Sequence, residues 1–263
     1  MEMVSFLRTV ELPWIFYVLL FVLGAVLGSF INCSAFRIVR GEDFVKGRSH
    51  CPSCGHELGT LDLIPVLSWL MLGGKCRYCG TKISPRYFLT ETLCGVCFVL
   101  VGLHYRTMDP LIIRDCALVV ILLGLSLVDL DIYEIPDGFQ IAGIINWLIF
   151  LPFAEEGWLS ALKSGLLGAV CIGGGILLIS LIMDKVLGRE SLGGGDVKLL
   201  FVVSLYLGLA GGLLNLIVSC IIGLLFVVIL HKDRIPFGPS ISIATFITLL
   251  IGSGIVGWYL GLF

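Results

Sequence analysis

Gly193-Gly194-Gly195-Asp196-Val197-Lys198-Leu199-Leu200 sets one carboxylate between a run of glycines and the start of a long apolar segment. The acid therefore stands where a loop enters a membrane. An ionisable group at that depth is costly, which makes it a functional candidate. Its partner in the sequence is Leu127-Val128-Asp129-Leu130-Asp131, where another apolar run ends in acid. Two carboxylates delivered by separate segments can share a proton, so that one serves as base and the other as acid. That is the minimum equipment for hydrolysing an amide with an activated water. The competing reading of either aspartate alone is structural, as a helix cap or a solvated border acid. Taken as a pair, with the glycines beside one of them, Asp129 and Asp196 point to chemistry.

The surroundings of both stretches are those of a membrane protein. Of 263 residues, 58% are hydrophobic and 14% charged, and the mean hydropathy is +1.06, which excludes a soluble domain of this size. A net charge of -2 leaves no footprint for nucleic-acid binding, so the lipid bilayer is the expected surrounding and nucleic acid is not an expected partner. The first apolar run, near 14–36, is too long for the core of a signal peptide and lacks a small-x-small cleavage site, so it reads as a membrane span.

Apolar runs of spanning length fall near 13–36, 87–104, 111–128, 139–153, 160–183, 197–209, 211–230 and 240–262. The expected fold is an all-α polytopic membrane protein of about eight transmembrane helices with a small cytoplasmic four-cysteine zinc-ribbon-like loop. The border between the sixth and seventh runs is the least secure, resting on the Gly211-Gly212 region. Counting loops alternately, one side carries thirteen Lys and Arg, including Arg37, Arg40, Lys46, Arg48, Arg189, Lys232 and Arg234. The other side carries four: Arg8, Arg106, Arg114 and Lys163. The richer side is expected to be cytoplasmic, which puts Asp129 and Asp196 at cytoplasmic ends of spans.

Four of the ten cysteines lie in the polar loop 37–86, as Cys51-Pro52-Ser53-Cys54-Gly55 and Cys76-Arg77-Tyr78-Cys79-Gly80. Two C-x-x-C turns, each followed by Gly, supply four thiolates to a tetrahedral Zn²⁺. In a reducing cytoplasm a metal is expected over disulfides. With Cys51, Cys54, Cys76 and Cys79 all bound, no position stays open, so the zinc reads as structural and supports a loop too small for its own core. Between the pairs, 63–72 is apolar but too short to span, and suits the membrane interface. Cys94 and Cys97 within the second span read as packing.

Other candidates receive plainer readings. Asp131 and Glu134 read as solvated rim acids. Pro136-Asp137 with Gln140 has the form of a capping box, with Asp137 as N-cap. Lys198 reads as a border charge facing a carboxylate or a phospholipid headgroup. Gly165, Gly168 and the run Gly173-Gly174-Gly175 suit close helix packing. The glycines before Asp196 serve either a close approach of substrate backbone or a flexible link.

Several blocks together resemble the bacterial type IV prepilin peptidases. They are Gly28-Ser29-Phe30-Ile31-Asn32 with Arg37; the paired C-x-x-C motifs with Pro65, Ser68-Trp69 and Ile83-Ser84-Pro85-Arg86-Tyr87 through Glu91; Asp129 with Ile135-Pro136-Asp137; Gly193-Gly194-Gly195-Asp196-Val197-Lys198; and Ile235-Pro236-Phe237-Gly238-Pro239. The resemblance implies a membrane aspartic peptidase of the bacterial inner membrane with Asp129 and Asp196 as catalytic pair. Its substrates would be prepilins or pseudopilins, cut after a glycine at the cytoplasmic face. It also implies N-methylation of the new N-terminus with S-adenosylmethionine as donor. The implied division is a first membrane helix at 1–36, a methyltransferase-associated zinc loop at 37–86 and a peptidase core at 87–263. The rival from another class is a transporter or channel using the paired border aspartates as proton or cation sites. It gives no reason for a zinc loop.

Overall fold

The computed structural model describes residues 2–43, 49–188, 191–230 and 235–262. Lys46, Arg48, Arg189, Lys232 and Arg234 of the charge count lie outside the described residues. Among the described residues ten α-helices run in order: α1 Glu2–Leu7, α2 Trp14–Val39, α3 Leu67–Met71, α4 Pro85–Tyr105, α5 Leu111–Ile132, α6 Asp137–Phe150, α7 Trp158–Ala169, α8 Gly175–Leu187, α9 Gly194–Leu230 and α10 Gly238–Leu260. The described residues form no β-strand beyond isolated bridges. Among the described residues, six helical stretches are long and apolar enough to cross a membrane: α2, α4, α5, α7 continued through α8, α9 and α10. The apolar run 139–153 forms only the shorter helix α6 and a 3₁₀ turn. The structure therefore bears out the all-α membrane fold without fixing the number of spans at eight.

Chain contacts divide the molecule into two compact units, Met1–Leu127 and Val128–Phe263. In the first, α2 and α4 lie backbone to backbone. A Cβ on Gly24 would come 2.8 Å from the Cys94 carbonyl oxygen, and one on Gly28 would come 2.8 Å from the Cys94 Cβ. Cys94 is fully buried in this seam, as the packing reading expects. At one end of the unit, Asp109 accepts from Arg8 Nε at 2.6 Å and from the Leu111 amide at 2.8 Å. Nearby, Asp115 accepts from the Tyr105 hydroxyl at 2.6 Å and from Arg114 Nε at 2.7 Å. Both acids are buried and paired, as buried charges must be.

The loop of the first unit carries two similar knuckles. In each, the residue after the second cysteine donates to the carbonyl of the first: Gly55 to Cys51 at 2.8 Å and Gly80 to Cys76 at 2.9 Å. Both glycines hold a left-handed φ, 70° and 71°, which a side chain would oppose. Short bridges, His50 with Glu57 and Lys75 with Lys82, close the knuckles. The apolar stretch between them forms a 3₁₀ turn and α3, with Leu67, Leu70 and Met71 exposed.

In the second unit α9 is not one rod. Gly208 has φ 65° and ψ −168°. In a straight helix, residues eight apart stand about 12 Å apart along the axis. Here a Cβ on Gly212 would lie 2.9 Å from Ser204 Oγ, so the second half of α9 folds back beside the first. The border expected at Gly211-Gly212 thus falls at Gly208, because only glycine takes that φ without strain. Gly165 and Gly168 of α7 press on the same turn: a Cβ on either would meet the Leu205 carbonyl oxygen at 2.6 Å or the Gly208 carbonyl carbon at 2.5 Å. The chain between α7 and α8, Val170–Gly174, makes a π-helical turn, and Gly173 there lies against Phe201.

Between the second half of α9 and α10 runs a buried polar spine. Asn215 Nδ2 donates to Thr245 Oγ1 at 2.7 Å, and Ser219 Oγ donates to Asn215 Oδ1 at 3.0 Å. Asn215, Ser219 and Thr245 are fully buried. Side-chain amides and hydroxyls of this kind join helices where hydrophobic contrast with the surroundings is lacking.

Candidate active site and metal centre

Asp129 and Asp196 belong to the same unit and arrive on different helices, one near the end of α5 and the other in the first turn of α9. They are close enough for the charge of Asp129 to act on Asp196. Asp129 is 4% exposed, whereas Asp131 and Glu134 stand out on the surface, as their sequence positions predict. Asp196 is half-buried.

The first turn of α10 completes the setting. The Gly238 amide donates to Asp129 Oδ2 at 2.9 Å across 109 positions of sequence. Phe237 caps α10 and Pro239 follows Gly238, which suits Pro because the opening amides of a helix lack intrahelical acceptors. A Cβ at 238 would stand 2.6 Å from Asp129 Oδ2 and 3.2 Å from Ile135 Cδ1. Glycine is the residue that permits the contact. Ile135 also packs at 3.1 Å from where a Cβ on Gly195 would be, so one side chain touches both the α10 turn and the glycine run.

The glycine run is itself held. Gln140 Nε2 donates to the Gly195 carbonyl at 3.1 Å, and Gln140 is 4% exposed. The amides of Asp196 and Val197 return to the Gly193 carbonyl at 3.0 and 3.3 Å. These bonds correct the capping-box reading. Pro136 holds the N-cap position of α6 with no side-chain cap bond, and Asp137 lies one place inside. Asp137 instead accepts from Lys198 Nζ at 2.7 Å, with both side chains more than half exposed. An exposed pair of this kind contributes less than about 1 kcal/mol. Gln140 escaped the sequence reading because a capping box and a contact 55 positions away use the same side chain.

Beside the acid lies a groove of about 620 Å³, floored by Ile141, Ile144, Gly174, Leu177 and Phe201, with Asp137 and Lys198 also on its lining. Gly194 and Val197, two places before and one place after Asp196, line it too.

The metal centre forms in the other unit. The sulfurs of Cys51, Cys54, Cys76 and Cys79 all lie within 4.8 Å of one another. Cys51 Sγ and Cys79 Sγ are 3.8 Å apart. Thiolates about 2.3 Å from a tetrahedral Zn²⁺ stand about 3.8 Å from each other, so the donor set fits zinc by geometry and by chemistry. Hydrogen bonds from the Cys54 and Ser53 backbone lower the Cys51 thiol. The Thr81 hydroxyl and amide bring Cys79 down to about 6. At Cys54 the His56 amide acts downward, but desolvation and the neighbouring Cys51 and Cys79 sulfurs outweigh it and hold the thiol up at about 11. Without a cation, four thiolates cannot be charged together at this spacing; a divalent metal removes the conflict. Asp62 braces the second knuckle, accepting from Arg77 Nε at 2.6 Å and Tyr78 Oη at 3.3 Å.

Comparison with known proteins identifies the family. The description "Bacterial Peptidase A24 N-terminal domain" matches residues 22–105, and "Type IV leader peptidase family" matches residues 116–228. A protein of Aeromonas salmonicida (strain A449) named prepilin leader peptidase/N-methyltransferase is 32% identical over 285 residues, covering 95% of each chain. Proteins of the same name from Neisseria gonorrhoeae and Bacillus subtilis (strain 168) are 30% and 29% identical. These alignments cover 91% and 92% of this chain, and 93% and 97% of theirs. No solved structure matches. With the two aspartates in one unit, the four-cysteine cluster in the other and relatives aligned along nearly its full length, this chain belongs to the type IV leader peptidase family.

Proposed function

We propose that the protein is a membrane aspartic endopeptidase that removes the leader peptide of type IV prepilins or pseudopilins and N-methylates the new N-terminus. The names of its relatives support both activities. The observation that carries the peptidase half is Ile135, which packs against both the α10 turn whose Gly238 amide holds Asp129 and the glycine next to Asp196. One carboxylate takes a proton from water while the other, protonated, donates to the scissile carbonyl; the roles reverse as the amine leaves. The two titrate as a unit. Gln140 holds the glycine run so that backbone can approach Asp196 without an intervening side chain. The thirteen-to-four distribution of Lys and Arg supports a cytoplasmic site in the bacterial inner membrane.

The zinc of Cys51, Cys54, Cys76 and Cys79 has a structural role in this reading. S-adenosylmethionine, when bound, supplies an electrophilic methyl group to the freed amine. We assign methyl transfer to the unit that carries the knuckles and cleavage to the unit that carries the aspartates. The test is co-expression of a prepilin with wild type, Asp129→Asn or Asp196→Asn, reading substrate mass and confirming each enzyme in the membrane. Loss of an acid–base group lowers turnover by about 10²–10⁴-fold, so both variants leave the leader in place. Full cleavage by either variant overturns the two-acid mechanism.

A further inference from the structure

The first unit holds a group of buried polar atoms used neither by the knuckles nor by the aspartates. Glu91 of α4 is 6% exposed and accepts from the Val66 amide at 2.7 Å. Val66 is strained: it is β-branched yet has φ 65° and ψ −54°, at the apex of a γ-turn in which the Leu67 amide donates to the Pro65 carbonyl at 2.6 Å. Backbone strain of this kind persists where the surroundings over-determine it, and it concentrates at ligand sites. One turn before Glu91, Phe88 stacks on Trp69 with ring centroids 5.0 Å apart. Trp69 Nε1 is buried and has no acceptor among the described residues. Neither has the buried Nδ2 of Asn32, a residue 2% exposed on α2.

Helix register brings these groups to one level. Gly24 meets Cys94 and Gly95, whereas Gly28 meets Glu91 and Cys94, so α2 and α4 run antiparallel. Asn32, one turn beyond Gly28, is level with Tyr87 and Phe88, one turn before Glu91, and the Glu91 side chain leans back toward that level. Buried polar groups are nearly always paired, and two open donors about one helical turn from a buried carboxylate call for a partner. A carboxylate with two N–H donors complements an α-aminoacyl group, whose ammonium faces the acid and whose carbonyl or carboxylate oxygen faces the donors. The adjoining Trp69 and Phe88 rings favour a cation in the same place.

We propose that Glu91, Asn32 and Trp69 form a binding site for an α-aminoacyl group. The proposal rests on the methyl-transfer half of the function above, which offers two sources: the amino-acid end of the methyl donor, and the freed N-terminal residue of the cut pilin. The experiment is calorimetric titration of the zinc-loaded, full-length protein in detergent. One titrant is S-adenosylhomocysteine, which keeps the amino-acid end; the other is a mature pilin N-terminal peptide with a free amine. Glu91→Gln retains an oxygen for the Val66 amide but removes the charge, and Trp69→Phe retains the ring stack but removes the N–H. A hydrogen-bonded charge removed in this way weakens binding about tenfold or more. Such a loss for S-adenosylhomocysteine identifies the donor as the source, and a loss for the peptide identifies the pilin. Wild-type affinity for both titrants in both variants overturns the site. Binding of neither titrant by wild type overturns the methyl-transfer reading, and the site with it.

Discussion

Gly238→Ala tests how closely the acid site depends on one backbone contact. The added methyl would stand 2.6 Å from Asp129 Oδ2, about 0.8 Å short of the 3.4 Å at which ordinary contact begins. Ile135 Cδ1, at 3.2 Å, closes the other side. The carboxylate and the α10 turn must part, and the 2.9 Å amide bond is lost or stretched. A hydrogen bond to a charged group contributes about 1.5–3 kcal/mol, or about 10–100-fold in rate if the loss falls on the transition state. Displacing a reacting group by about 1 Å costs about 100-fold by itself. The expected result is a fall of about 100-fold in kcat for prepilin cleavage, with membrane abundance retained. Gly254→Ala, on the same helix with nothing within 4 Å of the new carbon, is the control and cleaves as wild type. Cleavage by Gly238→Ala within about threefold of the control would refute the claim that this amide positions the catalytic acid.

Two further outcomes follow from the geometry. The purified protein carries one zinc per chain, and Cys76→Ser lowers that content and opens the loop to proteolysis; full retention of metal by the variant, read by elemental analysis, would remove Cys76 from the ligand set. Gly208→Val places a β-branched residue at φ 65°, with Ser164 Oγ 2.8 Å from the new carbon. The strain costs about 1–3 kcal/mol, and a melting temperature equal to wild type would show that α9 does not turn at this residue.

What the sequence discloses depends on the distance over which each residue acts. The zinc knuckles were legible because a C-x-x-C-G turn contains its own explanation: the sulfurs, the returning amide and the left-handed glycine lie within five residues. Asp129 was separable from Asp131 because only one of two acids on a helix end can face inward. Gly238 was visible as part of a family-like block, but its purpose depends on a carboxylate 109 positions away. Asp137 and Gln140 mimicked a local cap, and their real partners, Lys198 and Gly195, belong to another helix. The reversal of α9 was placed three residues late, since Gly211-Gly212 and Gly208 are equally apolar and the choice is made by the backbones of Gly165 and Gly168. Asn32 was visible as part of a family-like block in the first span, but an amide without a partner is evident only once its neighbours are known.

The polar spine between α9 and α10 has a bearing on the acid site some distance above it. Two greasy rods in lipid have little to stop one sliding along the other, since each shifted pairing buries similar apolar surface. Asn215 and Thr245 abolish that freedom, because a slip of one turn, about 5.4 Å, would strand the Asn215 amide in hydrocarbon. They act as a detent. Thr245 lies about 10 Å along the helix from Gly238, so the notch that fixes α10 lengthwise also gauges the height at which its first amide meets Asp129.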